Sequence, residues 1–208
     1  TIGSYLGIKE KDITLKFANN LKTELEKTGQ YKVLLTRSKD VFLLLSDRLK
    51  FAAKNKSDLF LSIHADYNDN PKIKGLSIYS LSEKASDTEA EKLAKKENNS
   101  DKFFGIDLSE HDETTADILI DLALRQQKNS SATLASFVIN ESKSFDTVKN
   151  SYRQAGFKIL KNLNSPSILI ELGYLSNKEE EKSLSSEKFR QELAKMFVRS
   201  INLYFSQN

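Results

Sequence analysis

The sequence holds two histidines, His64 and His111, and no cysteine. Any transition metal it binds must therefore be held by imidazole and carboxylate groups. His64 lies in Ser62-Ile63-His64-Ala65-Asp66, at the end of an apolar run. Taken alone, a histidine there is more often a hydrogen-bonded structural residue than a ligand. Glu171 follows Ser167-Ile168-Leu169-Ile170, another apolar run. A carboxylate directly after a buried strand is costly unless it is paired, solvated in a cleft or bound to a metal. The competing reading is a plain surface glutamate at a strand end. Glu10 precedes a helical pattern, where its charge complements the helix dipole without any ligand role. His111, in Ser109-Glu110-His111-Asp112, reads as a solvated residue at a helix start.

The elements that must position these residues follow from periodicity. Residues 9–27 carry Ile13, Phe17, Leu21 and Leu25 at helical spacing, with Asp12 or Thr14 as a start and Gly29 as a stop. Residues 31–36 are β-prone and predict a strand. A helix is expected over 44–55, with Ser46 as a cap. Strands are expected at 59–63, 76–80 and 167–170, and a final helix over 187–205. Strands alternating with helices predict an α/β fold, a mostly parallel central sheet flanked by helices. Sites in open sheets of that kind gather at the carboxyl ends of strands, where His64 and Glu171 both fall. The stretch 82–150 is polar, charged and mostly helical, and reads as a helical insertion within a single domain spanning 1–208. Within it, the apolar positions of 115–139 must pack on something and present a candidate docking face.

Six motifs then follow one another in order: Glu10-Lys11-Asp12-Ile13-Thr14-Leu15; Val33-Leu34-Leu35-Thr36-Arg37 with Asp40; Leu45-Ser46-Asp47-Arg48; Ser57 through Asp66; Gln154-Ala155-Gly156-Phe157-Lys158-Ile159-Leu160; and Pro166 through Asn177. Together they resemble the zinc-dependent N-acetylmuramoyl-L-alanine amidases, in the group that separates daughter cell walls in Gram-negative bacteria. The resemblance implies a Zn2+ site with Glu10 and His64 as ligands and Glu171 as the catalytic carboxylate. It implies hydrolysis of the amide between the lactyl group of N-acetylmuramic acid and L-alanine in peptidoglycan. The family's first zinc histidine sits in a Gly-His-Gly-Gly turn, expected upstream of Thr1 in a trimmed or processed chain. The insertion implies an off state, in which a helix covers the site and a glutamate reaches the zinc. Leu93-Ala94-Lys95-Lys96-Glu97-Asn98 matches that segment, with Glu97 as the plug and Glu91 as runner-up. A LytM-domain activator protein and a periplasmic location complete the implication.

Bulk properties bound the alternatives. The chain has 208 residues, 38% of them apolar, and a net charge of +3. Lysines are dispersed among acids, which argues against a nucleic-acid binder. No apolar run is long enough to span a membrane. A non-catalytic wall-binding module of the same fold and a related zinc peptidase stand as alternatives.

Overall fold

The computed structural model describes residues 5–101, 118–162 and 165–207; His111 lies outside them. In chain order the elements are α1 (Glu10–Lys27), α2 (Leu45–Lys54), β1 (Phe60–His64), β2 (Leu76–Leu81), α3 (Thr88–Asn98), α4 (Ile118–Glu141), β3 (Thr147–Ala155), β4 (Ser167–Glu171), α5 (Lys178–Ser185) and α6 (Glu187–Gln207). The strands form one sheet in the order β1-β4-β2-β3. β1 pairs with β4 and β2 with β3 in parallel, while β2 runs antiparallel to β4. The fold is thus α/β with a central sheet between helical layers, as the alternation of elements predicts.

Side-chain alternation along the strands divides the core in two. Leu76, Ile78, Ile168 and Ile170 face a layer built from α1, α4 and α6. There Phe17 of α1 meets Phe197 of α6 edge to face, at 5.8 Å between ring centroids. Phe60, Tyr79, Leu81 and Leu169 face the other layer, built from α2, α3 and the turn 157–160. α1 ends where Gly29 takes a φ of +71°, a conformation that costs glycine no steric strain.

Several expectations need correction. Residues 31–35 form no strand, because β-pairing is non-local and no sheet edge among the described residues bonds to them. Neither Asp12 nor Thr14 caps α1, whose N-cap is Lys9 without a side-chain bond. Ser46 does not cap α2; its first-turn N–H of Leu45 is instead met by the carboxylate of Asp101 at 3.2 Å. The stretch 82–150 divides into parts of unlike character. α3 is polar and buries only Ala90 and Ala94 completely. α4 sinks Leu134, Ala135 and Val138 into the main core, so these positions are not free to dock a partner. Residues 147–150 already belong to β3. Leu122 of α4 remains exposed.

Candidate active site

The sheet itself assembles the site. In the parallel pair β1–β4, His64 stands opposite Glu171, so two strand-end residues share one edge. In the antiparallel pair, Ser77 at the start of β2 also stands opposite Glu171. Phe60 and Leu169 face the α2–α3 layer, and period-two alternation sends His64 and Glu171 to the same face. α3 packs on that face. α1 begins beside it, which places Glu10 within reach of β1.

Distances show how tightly these groups meet. His64 Nδ1 lies 3.3 Å from Glu10 Oε1 and 3.4 Å from Glu97 Oε2. On the other side of the ring, His64 Nε2 pairs with Ser62 Oγ at 3.1 Å, which fixes the imidazole plane. Glu10 Oε1 also accepts from the Ala65 N–H at 3.2 Å. Glu171 is fully buried; its Oε2 accepts from the Asp66 N–H at 3.0 Å, and its Oε1 has no hydrogen-bond partner among the described residues. The Asp66 carboxylate is buried and paired with the Lys96 ammonium of α3. The structure therefore brings Glu10, His64, Glu97 and Glu171 into one cluster. Glu91 sits elsewhere on α3, paired with Lys95 at 2.5 Å.

The electrostatics of this cluster are dominated by carboxylates. Burial lowers the basicity of His64, but Glu97, Glu10 and Glu171 outweigh it and push the imidazole up to about 10. Burial raises the Glu171 carboxyl well above the usual range; His64 opposes this, and Asp66, Glu10 and Glu97 add to it. Burial likewise raises Glu97, against the pull of His64. Glu10 is lowered despite burial, through its bond and charge interaction with His64, the Ala65 N–H and the charge of Lys96. Four carboxyl groups thus surround one imidazole and one ammonium.

Among the described residues, no group of three or more His, Asp or Glu is arranged to hold a metal ion. The pair of Glu10 and His64 nonetheless fits two ligands of a zinc site in type and spacing. Ligands about 2.0–2.1 Å from a tetrahedral zinc stand about 3.3–3.4 Å apart, which matches the 3.3 Å between them.

Asp66 and Lys96 are the site residues that sequence reasoning passed over, although both stand inside quoted motifs. Their signal was adjacency: Asp66 two positions after His64, Lys96 one before Glu97. Behind Glu171, the hydroxyls of Ser77, Tyr79 and Tyr174 meet at 3.4 Å in a buried cluster that sequence alone did not reveal. Two cavities lie away from the cluster. One of 130 Å³ sits between Lys74, Asp146 and Phe189, and one of 480 Å³ lies beside α3 against Ala155 and Gly156. Beside His64 stands the Glu97 carboxylate of α3.

Comparison with known proteins places the chain in a family. The chain is 37% identical over 210 residues to the N-acetylmuramoyl-L-alanine amidase AmiC of Escherichia coli O6:H1, across 99% of this chain and 49% of that protein. It is 36% identical to AmiA of Escherichia coli K12, across 96% of this chain and 69% of that protein. It thus spans about half the length of the first relative and rather more of the second. Among solved structures, the N-acetylmuramoyl-L-alanine amidase AmiC2 of Nostoc punctiforme superposes with a TM-score of 0.70 at 26% identity, covering 99% of this chain and 89% of that one. The catalytic domain of CwlV from Bacillus (Paenibacillus) polymyxa shares the fold, with a TM-score of 0.66 at 23% identity over 99% of this chain and 90% of its own. Residues 1–202 match the Amidase_3 family, N-acetylmuramoyl-L-alanine amidase, and the chain belongs to that family.

Proposed function

We propose that this chain is a peptidoglycan hydrolase that cleaves the amide between the lactyl group of N-acetylmuramic acid and L-alanine. The observation that carries this reading is the meeting of Glu10, His64 and Glu171 at the carboxyl ends of β1 and β4, in a chain of the amidase family. Glu10 and His64 would hold zinc, together with a ligand the described residues do not supply. A zinc ion held there would polarise the scissile carbonyl and make water more acidic. Ser62 holds the His64 ring in place. Glu171 takes a proton from water and delivers it to the departing nitrogen. Its burial raises its proton affinity, which strengthens it as the base that receives the proton. Its Oε2 is held by the Asp66 N–H, which leaves Oε1 for the proton.

In the same reading α3 is an internal plug. Glu97 occupies the place where substrate must enter, beside His64, and the chain rests in an off state. The activator class that the resemblance implies, a LytM-domain protein, would act by drawing α3 away. The setting would be the periplasm and the work daughter-cell separation.

The test uses purified sacculi with a covalently attached dye. Glu97→Ala should raise dye release; Glu171→Gln should abolish it. The released material should carry free N-terminal L-alanine without new glycan ends. New glycan ends, or cleavage only within the peptides, would replace this reading with a glycosidase or a peptidase. Metal analysis completes the test: Glu10→Ala and His64→Ala should each lower bound zinc, and full retention after both would sink the ligand assignment.

A further inference from the structure

Two successive residues of α3 deliver opposite charges into the cluster. The Glu97 carboxylate lies 3.4 Å from His64 Nδ1. The Lys96 ammonium bonds Asp66 Oδ1. Asp66 is only 5% exposed, and its own N–H holds the catalytic carboxylate Glu171 at 3.0 Å. An exposed pair of this type would contribute little. A buried carboxylate that loses its partner is another matter, because the uncompensated charge is costly. If α3 must leave before substrate enters, Asp66 is stranded unless the reaction supplies a cation of its own.

Amide hydrolysis supplies one. In R–CO–NH–R′ + H2O → R–COO⁻ + R′–NH3⁺, the C–N bond breaks, a C–O bond forms, and both protons of water end on nitrogen. A neutral group becomes a carboxylate and an ammonium that start out side by side. Lys96 and Glu97 present that same pair, with the carboxylate against His64 and the ammonium against Asp66. Glu171 touches the backbone of the second position, where the proton must arrive. The geometry points to α3 as an internal mimic of the two hydrolysis products, and to Asp66 as the subsite for the amine product. This rests on the reading of Glu97 as a plug in the active cleft. Asp66 then favours the leaving nitrogen as it gains charge, late along the reaction, and contributes little to the neutral substrate.

The experiment uses the chain carrying Lys96→Met and Glu97→Ala, which removes both mimicking groups. The probes are L-alaninamide, with a free ammonium, and N-acetyl-L-alaninamide, without one. NMR titration reads binding with no turnover. L-alaninamide should give saturable shifts around Asp66, and the acetylated probe should bind at least on the order of tenfold more weakly, as for loss of a charged hydrogen bond. Adding Asp66→Asn should abolish the difference. Absence of saturable shifts, equal affinities, or a preference that survives Asp66→Asn would overturn the proposal. The two-probe comparison needs only the chain with Asp66 intact, so it stands even where Asp66→Asn fails to fold. Failure of the plug reading shows separately, as dye release unchanged by Glu97→Ala.

Discussion

Asn98 offers a direct measure of how firmly α3 is held. Its side-chain amide donates to the Gly156 carbonyl at 2.8 Å, and its carbonyl oxygen accepts from the Lys158 N–H at 2.7 Å. These two bonds fasten the last turn of α3 to the end of β3 and the turn after it. The Lys96 and Glu97 contacts, burial of Ala90, Ala94 and part of Leu93, and the bonds of Ser86 and Asp87 to β3 also attach α3. Asn98→Ala removes both bonds. Each is worth about 1 kcal/mol net, and the partners regain water on opening, so the loss is about 2 kcal/mol. Opening of α3 should therefore become roughly 30-fold more frequent. Alanine is the better helix former, so the helix itself is not weakened by the change. Hydrogen exchange is the assay: amides of α3 should exchange about 30-fold faster in the variant, while those of α1 and α6 stay unchanged. Basal dye release should rise by a similar factor while the closed state still dominates. A change of less than about threefold in α3 exchange would refute the clamp, since it falls below even one ordinary hydrogen bond.

Other perturbations test the frame that carries the site. Gly75 has a φ of +109°, and a Cβ there would come within 2.5 Å of the Thr147 carbonyl carbon. Gly75→Ala should cost about 3 kcal/mol or more, read as a lowered urea midpoint. Ser131 Oγ accepts from the Ser167 N–H at 2.8 Å at the start of β4, in a fully buried position. Ser131→Ala should cost about 1–3 kcal/mol, because that N–H is left without a partner. A midpoint unchanged in either variant would contradict the packing described. Phe17→Ala should cost about 3–5 kcal/mol by opening a cavity against Phe197, and a loss below about 1 kcal/mol would show that the layers close over it.

The long elements were legible because their signals are local and repeated. α1 shows four buried apolar residues at helical spacing, and β1 and β4 are short apolar runs ending in a polar residue. Strand-end logic alone put His64 and Glu171 on one edge. What escaped the sequence was non-local. The run 31–36 has the composition of a strand but no strand partner among the described residues. β3, Thr147–Ala155, is largely polar and lies at the sheet edge, so no apolar alternation announced it. The cap of α2 comes from Asp101, far beyond any local window. The antiparallel course of β2, which brings Ser77 to the site, has no signature in its own residues. Asp66 and Lys96 pair only where α3 docks beside the end of β1, and nothing in either motif specifies that meeting.

The link 82–87 that joins β2 to α3 has a kinetic consequence. A short tether keeps a displaced α3 near His64 at an effective concentration of order millimolar. In the proposed off state, an agent that opens the site would therefore compete continuously with a ligand that cannot diffuse away. Its occupancy, more than any chemical change to the chain, decides how long the cleft stays open. Once it dissociates, closure is a unimolecular event that needs no second factor. Under the proposed plug reading, a switch of this design would reset by itself and would confine hydrolysis to the places and moments at which its opener is bound.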